Sequence, residues 1–189
     1  MSIQFTDNTA VKAIMEKTDS THDTILTTLI QQVSADMQTY CRRNFKKEAR
    51  TEVFNAGRKH YYLSAPPVDS TATLTVTLTE AAQTVNADYY LWDDLALIEF
   101  ITSPSDITPK AVSITYTGGY AESSSVLAVP DDLKFACTQQ VIFLFRRRKD
   151  IGLSSVSMPD GSINVLTPNG WLKNVEDILH RYRLPAGQR

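Results

Sequence analysis

Cysteine is nearly absent from this chain. Its 189 residues hold only Cys41 and Cys137. They fall on separate predicted helices and in no metal or redox spacing, which excludes a centre built on cysteine. They read as buried free thiols, in keeping with a reducing cytosol. Histidine is as sparse: His22, His60 and His180 are scattered, with no HExxH or similar pattern to hold a metal. No glycine-rich phosphate loop follows a strand, because Gly118-Gly119 lacks the later glycine and the lysine. No GxSxG elbow presents a serine. Asp93-Asp94 and Asp131-Asp132 are adjacent carboxylates, but a turn and a helix start account for them. No catalytic residue, metal site or cofactor is assigned, and no enzyme is expected. An excess of one charge is also missing. Lys and Arg number 19 against 21 Asp and Glu, a net charge of −2, so no basic field advertises nucleic-acid binding. No apolar run is long enough to span a bilayer, and no basic-then-apolar leader with a cleavage site appears. Neither a membrane partner nor a secretion signal is expected, and there is no internal repeat.

What is present is ordinary for a globular protein: 42% hydrophobic and 21% charged residues. The length suits one domain, or one domain with a subdomain. The stretch from Gly118 to Lys149 organises the rest. Gly118-Gly119 ends a strand, since glycine tolerates the backbone angles of a sharp exit. Pro130 suits a first helical turn, with Asp131 and Asp132 at the positive end of the helix dipole and Arg146-Arg147-Arg148-Lys149 at the negative end. Between them Val141, Ile142, Phe143, Leu144 and Phe145 go right round the helix at about 100° per residue. One face can meet the chain's own core, and the other must be covered by another element or another copy. Ile142, Phe143, Phe145, Arg146, Arg147, Arg148 and Lys149 are therefore the candidate contacts between subunits.

Earlier in the chain, Asp7 caps a short predicted helix from about Asn8 to Lys17, and Ser20 caps a longer one from about Thr21 to Phe45. Ile25, Leu26, Leu29, Ile30, Val33, Met37, Tyr40 and Cys41 line one face of the second. Arg42, Arg43, Lys46 and Lys47 close it as a solvated cap, with phosphate contact as the sharper alternative. From Ala49 to Tyr116 the period changes to two. Thr51 to Phe54 and Lys59 to Leu63 flank a hairpin signal at Asn55-Ala56-Gly57-Arg58. Leu74, Val76 and Leu78 alternate with threonines, and Glu80 to Gln83 reads as the following turn. Tyr89 to Trp92 and Leu97 to Ile101 flank Asp93-Asp94 as a further hairpin. Tyr61-Tyr62 and Tyr89-Tyr90 read as ordinary strand residues. After Lys149 the chain loosens. Val156 and Met158 can pair with Ile163 and Val165 as a ribbon, either a mobile loop or an arm that orders on a neighbour. A last helix, about Asn169 to Arg183, carries Trp171, Val175, Ile178, Leu179 and Tyr182 on its apolar face. The expected fold is α+β: a bundle of about four helices with an inserted antiparallel β-subdomain. Residues 1–48 supply the N-terminal helices, 49–120 the insertion, and 121–189 the C-terminal helices with an arm at 150–168 and a tail at 184–189.

Several features taken together resemble the head–tail connector (adaptor, or head-completion) family of tailed bacteriophages. They are the capped helix of Ser20 to Phe45, the strand exit Thr115-Tyr116-Thr117-Gly118-Gly119-Tyr120, and Val129-Pro130-Asp131-Asp132-Leu133-Lys134. The helix ending in Arg146-Arg147-Arg148-Lys149, the serine-rich linker and the ending Leu179-His180-Arg181-Tyr182-Arg183 complete the likeness. It covers the helical parts, about half the chain. The resemblance implies a structural, non-enzymatic protein without cofactor, placed in the virion at the head–tail interface and assembled in the host cytoplasm. It implies a ring of copies, typically twelve, under the portal protein. The ring extends the channel through which genomic DNA passes without sequence-specific binding, and it receives a stopper or tail-completion protein. Adaptors of this kind use C-terminal segments to reach the portal. Here Arg181, Tyr182, Arg183, Leu184 and Arg189 form a strip too poor in apolar surface to fold alone, suited to pairing with portal carboxylates. Other readings are a different head–tail component, such as a stopper or tail-completion protein, or a small nucleic-acid-binding regulator using Arg146 to Lys149.

Overall fold

The structure, a computed structural model, describes residues 3–105, 108–121, 127–148, 155–158, 161–164 and 170–184, with 155–158 and 161–164 in backbone alone. Among these residues the order is α1 (Asn8–Ile14), α2 (Asp23–Cys41), β1 (Glu48–Phe54), β2 (His60–Tyr62), β3 (Thr75–Leu78), β4 (Ala81–Gln83), β5 (Tyr89–Trp92), β6 (Leu97–Phe100), β7 (Val112–Gly118), α3 (Asp131–Arg147), β8 (Ser155–Met158), β9 (Gly161–Asn164) and α4 (Lys173–Tyr182). The fold is α+β, helices with antiparallel sheets. The chain divides into two units. One comprises Met1–Cys41 with Pro130–Arg183 and holds the four helices; the other comprises Arg42–Val129 with Leu184–Arg189 and holds β1 to β7. No described helix is long and apolar enough to cross a membrane.

In the helical unit, Asp7 caps α1 by accepting from the Ala10 amide at 2.8 Å. The helix ends at Ile14, short of the expected Lys17, and Glu16 turns to a φ of 55°. α2 is also shorter than expected. Arg42 adopts a φ of 56°, which stops the helix at Cys41, and Phe45 beyond it is buried and stacked on the Tyr120 ring. Leu26, Ile30, Val33, Met37 and Cys41 are buried along one face of α2, whereas Ile25 is exposed. Burying each such aliphatic side chain stabilises the fold by about 1.5–3 kcal/mol. Ser34, buried on the same helix, accepts from the Phe5 amide at 3.3 Å and lies 3.7 Å from the Cys137 thiol. Val175 and Leu179, four apart on α4, are fully buried, and the Cys41 thiol donates to the Leu179 carbonyl at 3.6 Å.

The β unit has a four-stranded sheet in the order β1-β7-β3-β4 and a three-stranded sheet β2-β6-β5. The expected hairpin about residues 55–58 does not form. β1 pairs along its whole length with β7, from Glu48 opposite Gly118 to Phe54 opposite Val112, and β2 pairs with β6. Seven paired residues against a buried central strand outweigh a short local turn. The β5–β6 hairpin forms as expected. Glu80 to Gln83 is not simply a turn: Thr79 and Glu80, both at positive φ, make it, and Ala81–Gln83 returns as β4. The outward face of the larger sheet is threonine-rich, with Thr51, Thr115 and Thr75 in one row across three strands.

The core of this unit gathers Tyr61, Ile98, Phe100, Ile114 and Tyr116. Burial, then the Glu52 carboxylate that accepts its hydroxyl proton, pushes the Tyr116 phenol well above its usual range. The basic residues after α2 are not a purely solvated cap: Arg42 is exposed, but Arg43 and Lys47 are engaged within the chain. Arg43 is buried, stacks at 4.3 Å over the Phe45 ring and donates to the Pro66 carbonyl. Lys47 lies 2.6 Å from the buried Asp69. Beside them the strand exit is tight. Gly119 sits at a φ of 101°, and a Cβ there would lie 2.6 Å from the Lys46 carbonyl oxygen.

Candidate interaction surfaces

α3 is built as its sequence dictates. Pro130 precedes it, Asp131 and Asp132 occupy its first turn, and Asp132 accepts from the Leu133 amide at 2.8 Å. At the other end Arg148 folds back. Its guanidinium donates to the Phe145 carbonyl at 2.6 Å and lies 3.9 Å over the Phe145 ring, so it caps its own helix. Ile142 is 8% exposed and Phe145 3%. Both are packed in the chain's own core. Phe143 and Leu144 are half-buried, and Arg147 lies 5.3 Å over the Phe143 ring. Arg146 is exposed, and Lys149 lies outside the described residues.

Phe135, which sequence reasoning passed over, is 49% exposed. It stands four and eight residues before Gln139 and Phe143, so these side chains make one ridge along the helix. Gln139 accepts from the Asn174 side chain of α4. The ridge therefore carries two aromatic rings followed by Arg146 and Arg147. A break in the periodicity was its available signal: Phe135 falls between the buried positions Leu133 and Ala136-Cys137.

The end of α4 is pinned from within. The Tyr182 hydroxyl donates to both carboxylate oxygens of Asp132, at 2.8 and 2.9 Å. Tyr182 thus acts inside the helical unit, as a tie from the end of α4 to the start of α3. Arg183 leaves the helix in extended backbone and lies 5.2 Å over the Tyr40 ring. The Tyr40 hydroxyl meets His180 at 3.0 Å and Glu176 at 3.3 Å, and loss of solvation followed by the Glu176 charge raises its pKa. Arg181 is exposed and Leu184 half-buried; Arg189 lies outside the described residues. β8 and β9 pair as a ribbon with Val156 opposite Ile163 and Met158 opposite Gly161, while Val165 lies outside the described residues.

The smaller sheet shows a surface the sequence did not. Tyr61 and Tyr89 face the core, whereas their neighbours Tyr62 and Tyr90 point outward with Trp92, exposed by 45, 44 and 50%. Adjacent tyrosines on a strand must face opposite ways, but which member faces water depends on a pairing the local sequence does not declare.

Asp93 serves its turn, accepting from the Asp94 amide on its side chain and from the Val68 and Ala96 amides on its carbonyl. Burial pushes the Cys137 thiol up to about 12, which leaves it unreactive. Among the described residues no group of three or more His, Cys, Asp or Glu could hold a metal ion.

Comparison with known proteins bears on the whole chain. A family model described as head completion protein matches residues 4–184. No curated protein matches. Among solved structures, a chain from the neck of an empty GTA particle, computed with C6 symmetry, is 19% identical, with a TM-score of 0.56 over 96% of this chain and 92% of that one. A chain from the virion of a native gene transfer agent (GTA) particle is 20% identical, with a TM-score of 0.53 over 90% and 84%. A chain from the neck of a native GTA particle, computed with C12 symmetry, is 21% identical, with a TM-score of 0.52 over 96% and 94%. These likenesses are of fold.

Proposed function

This chain belongs to the head completion protein family, and from that premise we propose that it is the structural adaptor of a tailed-phage-like virion, a ring of copies under the portal that extends the DNA channel and joins the head to the stopper or tail. The observation that carries this reading is the family match across 4–184, both units included. The shared fold of chains from neck particles supports it, and a neck computed with C12 symmetry supports twelve copies. A net charge of −2 suits a channel through which DNA slides, since a strongly basic lumen would hold phosphates.

In this reading the α3 ridge is the contact between copies. Phe135 and Phe143 supply aromatic surface, and Arg146 and Arg147 supply charge that selects the partner. Arg181, Arg183 and Leu184 form the start of the portal-docking strip, with Tyr182 holding its base. The protein is placed in the virion, and its partners are the portal, the stopper or tail-completion protein, and itself. The test is imaging and native mass measurement of the protein added to portal-bearing heads. A ring of twelve on the portal is expected; a protein that stays monomeric in the presence of those heads would refute the ring.

A further inference from the structure

The outward face of the three-stranded sheet has two rows across its strands: His60, Glu99 and Tyr90, then Tyr62, Leu97 and Trp92. Leu95, in the turn between β5 and β6, is exposed beside them. The charges of this face gather on one carboxylate. Lys59 lies 2.9 Å from Glu99, His60 lies 3.6 Å from it, and the Trp92 indole donates to it at 3.2 Å. The Lys59 hydrogen bond, then that of Trp92, lowers the Glu99 pKa. What remains for an occupant is aromatic area, not a row of cations for phosphates. The face fits an apolar, nearly uncharged protein segment.

Residues 151–169 are such a segment, with Asp160 as their one charged residue. Within them β8 and β9 place Val156, Met158 and Ile163 on one alternation of the ribbon, and Ser155, Ser157, Ser162 and Asn164 on the other. A two-stranded ribbon of four-residue strands is not stable by itself in water. Its strands match β5 and β6 in length, four residues each. We propose that the β8–β9 ribbon of one copy lies across the Tyr62, Tyr90 and Trp92 face of a neighbouring copy, as a strap between subunits. The proposal rests on the ring reading above. Aromatic side chains bury about 150–250 Å² each, so three half-exposed ones offer a few hundred Å². That is below the roughly 1,200–2,000 Å² of a stable independent interface. The strap therefore reinforces a ring that the α3 ridge begins, and does not assemble free monomers.

Two variants that each add one cysteine, Trp92→Cys and Val156→Cys, test it when mixed before assembly on portal-bearing heads and treated with a short bismaleimide. The native Cys41 and Cys137 are buried. A crosslinked pair of chains is expected in the assembled fraction, and it should be lost when the Val156→Cys chain also carries Ile163→Asp. Rings that form without that crosslink would overturn the strap and leave the ring standing. Failure of both variants and the unmodified protein to assemble would overturn both. Three further results would overturn the strap: a crosslink insensitive to Ile163→Asp, capture of Trp92→Cys by a different virion protein, or, in a third variant carrying both substitutions in one chain, a crosslink that forms only within that chain at high dilution.

Discussion

Asp69→Asn should cost about 1–2 kcal/mol at pH 7, and that cost should vanish in acid. The Asp69 carboxylate accepts from Lys47 at 2.6 Å and from the hydroxyl and amide of Thr71 at 2.6 and 3.0 Å. These bonds, Lys47 first, lower its pKa from 3.8 to about 2. Because the folded-state value is depressed, the stabilisation is complete above pH 3.8 and is lost as pH falls through 3.8 towards 2. That gap corresponds to about 2 kcal/mol at most. The Lys47 side chain is still 24% exposed, and solvent screening brings the expectation down to about 1–2 kcal/mol. For a chain of this length the loss is about 2–8 °C in Tm. Thermal and urea unfolding followed by circular dichroism at pH 7, 4, 3 and 2 measures it. The difference between wild type and variant should shrink steadily below pH 4. A difference that stays constant from pH 7 to 2, or is absent at pH 7, would refute the assignment.

Gly119→Ala meets the Lys46 carbonyl and a left-handed backbone together; it should cost about 2 kcal/mol or more, read as a lower urea midpoint with unchanged slope. Tyr182→Phe removes both hydroxyl bonds to Asp132; a loss of about 1–2 kcal/mol, absent in an Asp132→Ala background, would be measured by a double-mutant cycle. Arg146→Glu with Arg147→Glu leaves the buried face of α3 untouched, so the monomer should stay folded, losing about 1–2 kcal/mol from the helix dipole and the Arg147–Phe143 stacking, while sedimentation shows weakened assembly; normal assembly with DNA loss alone would point to the channel wall instead.

Much of the helical unit was legible because its signals are local. Pro130-Asp131-Asp132 marks the start of α3, and the spacing of Val175 and Leu179 marks the buried face of α4. The end of α2 was not legible, since nothing local tells Arg42 to adopt a positive φ, and the Tyr120 ring on which Phe45 stacks lies far along the chain. The strands were recognised by alternation, but the partners of β1 and β2 lie far along the chain, so the turn chemistry of residues 55–58 pointed to the wrong pairing. The same limit applies to the surfaces. Five apolar residues in a row go right round α3, yet Ile142 and Phe145 are satisfied within the chain while Phe135 is the ring left in solvent. The Tyr62, Tyr90 and Trp92 face needed the sheet order before it could be seen at all.

Complementation in a cell-free assembly tests whether the protein is an adaptor that joins head to tail. DNA-filled, portal-bearing heads made without this protein are mixed with purified full-length chain and tails, and tail-bearing particles are counted by electron microscopy. Full-length protein should restore tail attachment and genome retention, while a chain ending at Tyr182 folds but fails to bind the heads. Tail attachment at the same level without the protein, or undiminished head binding by the truncated chain, would contradict respectively the adaptor role and the docking strip.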